Sequence, residues 1–176
     1  MAAPVYELRD DSAGPGGDPG STGDRRTGAE GGVDPRAAGG KPPCVLLVED
    51  DAAMRIICRL NLESEGFRVV EATDGKEALR LAQSEQPDVV LLDVMLPDLG
   101  GFEIASQLEN IPVVFLSARA SELDLQRGKQ AGAIDYVTKP FDPIALPGRI
   151  REDLDELNRG GSAERVWQMR FGRSRR

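Results

Sequence analysis

Residues 89–101 read Val-Val-Leu-Leu-Asp-Val-Met-Leu-Pro-Asp-Leu-Gly-Gly, and the first five of them decide the fold. Four consecutive apolar residues leave no polar face. That is the pattern of a strand covered on both sides, and such strands belong to parallel sheets with helices on each face. The run stops on an acid, Asp93, and a loop rich in proline and glycine follows from Met95 to Gly101. A buried strand that ends in a carboxylate delivers it to the edge of the sheet where open α/β folds gather their function.

The same pattern repeats outward in both directions. Upstream, Cys44-Val-Leu-Leu-Val48 is a second continuous apolar run, and it ends in Glu49, Asp50 and Asp51. Met54, Ile57, Cys58 and Leu62 follow at helical spacing over 51–65, with Asp51 as the helix cap and Gly66 as the stop. Phe67–Val70 reads as a strand. Asp74 caps a helix to about Glu85, with Ala78, Leu79 and Ala82 inward, and Pro87 ends it. Downstream, Phe102–Glu109 is a short helix and Asp98 a turn residue before Gly100-Gly101. Val113–Leu116 is a strand ending at Ser117, and 120–131 is a helix closed by Gly132. Ile134–Val137 is a strand followed by Thr138 and Lys139, and Asp142–Asn158 is a last helix. Within it, Pro147-Gly148 demands either a kink or a late start with Pro147 in the first turn. Five strands alternating with five helices define an α/β fold with a doubly wound parallel sheet.

Composition narrows the chemistry. The middle of the chain, 41–158, holds twenty-two acids and twelve bases. Such a domain does not draw nucleic-acid phosphates through its bulk field, but converging acids hold a hard cation. The chain has no histidine, which excludes histidine general acid–base catalysis, histidine metal ligands and a phosphohistidine carrier role. Cys44 and Cys58 lie in apolar patterns without metal-ligand spacing and read as buried thiols of a reducing compartment. No apolar run approaches the roughly 20 residues that span a bilayer, and no signal peptide opens the chain, so a cytoplasmic protein without a membrane partner is expected.

Residues 1–40, with ten glycines and four prolines, are expected to be a disordered extension, leaving 43–158 as the folded domain. Residues 159–176 open with Arg159-Gly-Gly-Ser162, carry six bases against one acid, and are expected to be a flexible basic tail with Trp167 exposed. Fourteen residues after that linker leave no room for an effector, so the expectation is that no DNA-binding domain accompanies the fold.

The ends of strands one, three, four and five bring together Glu49, Asp50, Asp93, Ser117 and Lys139. Crowded carboxylates repel unless something positive sits among them, and oxygen-only ligands suit Mg²⁺. A carboxylate nucleophile, a fixed cation and a hydroxyl donor suit phosphoryl transfer, which is mainly positioning and charge neutralisation.

Four segments carry a specific resemblance: VLLVEDD at 45–51, LLDVMLPDLGG at 91–101, FLSAR at 115–119 and DYVTKPFD at 135–142. In order and approximate spacing they resemble the signatures of the response regulator receiver family over about residues 44–158. The resemblance implies the flavodoxin-like strand order 2-1-3-4-5. It implies that Asp93 accepts the phosphoryl group, and that Glu49, Asp50, Asp93 and the Met95 main-chain carbonyl hold Mg²⁺, with Mn²⁺ as a substitute. Lys139 and Ser117 would contact the phosphoryl oxygens, Tyr136 would switch inward behind Ser117, and the Lys139–Pro140 peptide would be cis.

The donor implied is a sensor histidine kinase or a phosphotransfer protein. The output implied is a phosphorylation-dependent protein-binding surface for an unidentified target, with a homodimer through the last helix as a further partner. The alternative is a scaffold of the same fold that ignores phosphate. A phosphohydrolase reading fails on Met95, which stands where a second acid would protonate the leaving group.

Overall fold

The computed structural model describes residues 40–172, so the disorder expected of residues 1–40 falls, but for Gly40, outside the described residues, as do the arginines from Arg173 onward. Five strands are β1 (Cys44–Val48), β2 (Arg68–Ala72), β3 (Val89–Asp93), β4 (Val113–Ser117) and β5 (Asp135–Thr138). The helices are α1 (Ala52–Ser64), α2 (Gly75–Glu85), α3 (Gly101–Ala105), α4 (Glu122–Gln130), α5 (Leu146–Asn158) and α6 (Ala163–Phe171). All strand pairs are parallel, in the order β2-β1-β3-β4-β5.

Side chains alternate across the pleat, which splits the core in two. Val45, Leu47, Leu91, Val114, Leu116 and Val137 pack with Cys58, Leu62, Ile150 and Leu154 of α1 and α5. Leu46, Val48, Val90, Leu92, Phe115 and Tyr136 pack with Ala78 and Ala82 of α2 and Ile104 of α3. Each of β1, β3 and β4 is buried along its whole length, as the unbroken apolar runs require. Register then aligns the strand ends: Val48 pairs with Leu92, Asp93 with Leu116, and Ser117 with Thr138. Glu49, Asp93, Ser117 and Lys139 therefore emerge at one level.

Local signals set the helix boundaries. Asp51 accepts from the Met54 amide and Asp74 from the Glu77 amide, both as N-caps. Ser121 and Asp124 bond reciprocally at the start of α4. Pro147 stands in the first turn of α5, which begins at Leu146 rather than Asp142, so the proline costs no interior hydrogen bond.

The tail departs from expectation. Ala163–Phe171 is a helix, not a flexible segment: Ser162 caps it by accepting from the Arg165 amide, and Val166 and Trp167 are buried, Trp167 at 6% exposure. Val166 joins the α1/α5 side of the core and Trp167 the opposite side, so α6 lies along β5, the last strand of the sheet. Among the described residues, no helix is long and apolar enough to cross a membrane.

Candidate functional site

Strand β1 carries Glu49 to the carboxyl end of the sheet with only 1% of its surface exposed, and Asp93 ends β3 nearly as deep. Two buried carboxylates side by side are unfavourable without a counter-charge. Lys139 supplies it: Nζ donates to Glu49 Oε2 and to Asp93 Oδ2, each at 2.6 Å. Burial opposes the Lys139 charge, but the hydrogen bonds to Asp93 and Glu49 prevail and hold the ammonium above the usual lysine range. Burial pushes the Glu49 carboxyl up, the Lys139 bond pulls it back, and the Asp93 charge adds to the rise. Asp50 stands beside them and faces solvent.

Glu49, Asp50 and Asp93 each place one carboxylate oxygen within 4.8 Å of the others. Three carboxylates against one ammonium leave the cluster short of positive charge. Arg55 does not make up the difference, since it donates to the main-chain carbonyls of Glu49 and Asp50. Hard oxygen donors with uncompensated charge and one solvent-facing member fit a hard divalent cation. Met95 donates its amide to Asp93 Oδ1 at 2.7 Å, which sets the Met95 main chain beside the acid, while its side chain is exposed.

The loop after β3 is pinned at two points. A Cβ on Gly101 would lie 2.6 Å from the Asp93 carbonyl oxygen and 2.7 Å from Val94 Cα, so only glycine allows α3 to start this close to the acid. Within the loop, Asp98 accepts from the amides of Gly75 and Lys76, which ties it to the start of α2. These backbone bonds hold the Asp98 carboxyl below the usual range. Sequence reading assigns Asp98 to a turn and misses this second cap. Nothing local announces it, because its partners are more than twenty positions away.

Ser117 is fully buried at the end of β4, and its Oγ accepts from the Arg119 amide at 3.0 Å. Tyr136 is turned inward at 2% exposure, and its hydroxyl donates to the Arg119 carbonyl at 2.7 Å. Burial raises the Tyr136 hydroxyl above its ordinary value. The main chain of Arg119 thus joins Ser117 to Tyr136, a role its side chain does not betray in the sequence. The Lys139–Pro140 peptide is cis.

A doubly wound parallel sheet with three carboxylates, a lysine and a buried hydroxyl at its switch point defines a class of α/β modules built for phosphoryl or cation chemistry. Within that class the chain belongs to the response regulator receiver family, whose domain matches residues 45–151. It is 44% identical over 125 residues to the transcriptional regulatory protein CseB of Streptomyces coelicolor, covering 69% of this chain and 53% of CseB. It is 40% identical to the alkaline phosphatase synthesis transcriptional regulatory protein PhoP of Bacillus subtilis, covering 62% of this chain and 48% of PhoP. The crystal structure of a CheY-like response regulator receiver domain protein from Methanospirillum hungatei superposes with a TM-score of 0.65 at 30% identity, covering 69% of this chain and all of that one.

The chain spans about half the length of the curated relatives it matches. This overturns the expectation that no DNA-binding domain accompanies the receiver. That expectation used the fourteen residues after Ser162 as a measure of output, whereas the relatives are transcriptional regulatory proteins about twice as long as the matched region.

Proposed function

We propose that this receiver is switched by phosphorylation of Asp93. The observation that carries the reading is the Lys139 ammonium shared by Glu49 and Asp93 at 2.6 Å, with Asp50 beside them. An Asp93 oxygen attacks the phosphorus of a phosphohistidine on a sensor kinase or phosphotransfer protein. The phosphorus–nitrogen bond breaks, its electron pair leaves on the imidazole, and the imidazole takes a proton. Lys139 steadies the incoming phosphoryl oxygens, and the Ser117 hydroxyl turns toward them.

Glu49, Asp50, Asp93 and the Met95 carbonyl would hold Mg²⁺, which when bound neutralises charge on the transferring group. The same residues support phosphorylation from small donors and self-dephosphorylation. The negative charge and acceptor oxygens added at Asp93 bias the segment joining Ser117, Arg119 and Tyr136. For the whole protein, the named role of the relatives makes transcriptional regulation the output class this reading carries.

Incubation with acetyl phosphate and magnesium, followed by intact mass, tests the proposal. One phosphoryl increment on the wild type and none on Asp93→Ala is expected. An unmodified wild type, or the same increment on the variant, overturns it. Equal binding of a partner by the two phosphorylation states would instead favour a constitutive scaffold.

A further inference from the structure

A helical side chain leans toward the helix N-terminus, so a long one near the start of a helix reaches back over the chain that enters it. Arg55 of α1 is such a residue. Its Nη1 donates to the Glu49 main-chain carbonyl at 2.8 Å and to the Asp50 carbonyl at 3.3 Å. Its Nε lies 3.3 Å from Glu71 Oε1 on β2, and the side chain is 17% exposed. Arg55 thus spans a helix, a turn and a strand, and the turn carries two of the three clustered carboxylates.

Other bonds hold the turn at its ends. The Glu49 amide donates to the Ala72 carbonyl at 3.2 Å, and Asp51 accepts from the Met54 amide. Asp50 stands between them and faces solvent, so packing does not orient it. Its direction is set by the peptide planes on either side. The Glu49 carbonyl belongs to the plane before Asp50 and the Asp50 carbonyl to the plane after it. Arg55 holds both.

We propose that Arg55 is a positioning residue for the divalent-cation site: by fixing the two peptide planes beside Asp50 it aims that carboxylate toward Glu49 and Asp93. The inference rests on the cation and phosphoacceptor reading above and deepens it. A positive charge near the site also repels an arriving cation. Glu71 offsets that charge and water screens the remainder, so orientation outweighs the field. The two effects have opposite signs. Losing orientation raises the dissociation constant of the cation, and losing repulsion lowers it.

Mn²⁺, the substitute cation, is titrated into the full chain and the free ion is followed by its electron paramagnetic resonance. Arg55→Ala is expected to raise the Mn²⁺ dissociation constant about tenfold, the low end of the loss when a group that orients metal ligands is removed. Arg59→Ala removes the same charge one turn further on, where it pairs with Glu63 and Glu71, and is expected to leave the constant unchanged. Should Arg55→Ala fail to fold, Arg55→Lys keeps the charge but not the planar fork, and is expected to raise the constant about threefold, part of the same loss. Loading from acetyl phosphate should be slow in Arg55→Ala at limiting Mg²⁺ and normal at saturating Mg²⁺.

A merely structural role would lower the urea midpoint in chelator and leave Mn²⁺ binding where it was. Unchanged or tighter Mn²⁺ binding in the folded Arg55 variant therefore overturns the inference and leaves the phosphoacceptor reading standing. An equal loss in Arg59→Ala makes the effect one of charge and overturns it as well. Loading that stays slow at saturating Mg²⁺ overturns it by placing Arg55 in the transfer itself. A wild type that binds no Mn²⁺ and gains no phosphoryl mass overturns the inference together with the reading beneath it.

Discussion

Lys139 is the residue on which the pocket depends, because removing it strands two buried carboxylates. Lys139→Ala is expected to cost about 3 kcal/mol by urea unfolding in chelator, as breaking a buried pair generally does. Adding Asp93→Asn to that background should recover part of the loss, since one of the two repelling charges is gone. A double variant no more stable than the single one contradicts this account. Met95, whose side chain is exposed beside Asp93, offers no hydrogen bond to orient water toward an acyl phosphate. On the phosphoacceptor reading slow phosphate loss is expected, and Met95→Asn should speed it about tenfold, the rate equivalent of one good hydrogen bond. Mass spectrometry after donor removal checks it, and an unchanged lifetime counts against it. At this scale the sequence was informative because Glu49, Asp93 and Ser117 each directly follow an apolar run, and Asp50 and Lys139 stand one position further on, so a strand count alone brings them to one edge. Asp98 and the Arg119 main chain were illegible because their partners are set by loop paths.

Among the elements, the contact of α5 with α6 gives a signature in pH. Burial, and after it the Asp135 carboxylate, push Asp153 up to about 7, against the pull of Arg170 and Arg149. The charged groups facing it are Asp135 from β5, Arg149 and Glu152 from α5, and Arg170 from α6. An unfolded aspartate ionises near pH 4, so the folded chain holds an extra proton between about pH 4 and 7. The stability from that proton is present at low pH and is lost as pH rises through about 7. Asp153→Asn has the same shape and cannot ionise. Its urea midpoint should therefore gain on the wild type between about pH 4 and 7, and parallel curves exclude the effect. The sequence gives α6 only a weak voice. Ser162, Val166, Trp167 and Arg170 have helical spacing, but a Gly-Gly linker and the density of arginines mask it. What makes the segment a helix is tertiary: β5 and α5 supply the surface and Asp153 the buried counter-charge.

For the molecule as a whole, a cation that binds only the native state stabilises it by mass action. Magnesium at a hundredfold excess over its Kd should add about 2.7 kcal/mol, and Asp50→Asn should abolish most of that gain. Thermal unfolding with and without chelator measures it, and an equal gain in the variant removes Asp50 from the ligand set. The architecture was legible from the alternation of apolar runs and periodic helices. The output was not, because charge balance and tail length describe this stretch of chain and not the longer regulators it matches.

The two bonds of the Lys139 ammonium reach back 90 and 46 positions along the chain. Contacts of such long sequence separation are slow to close, so the pocket is among the last features to assemble. On the phosphoacceptor reading, a chain still emerging from the ribosome, with β3 made and β5 not, has Asp93 but lacks Lys139 and stays mute to the donor. On that reading, competence to receive the signal doubles as proof that folding is finished.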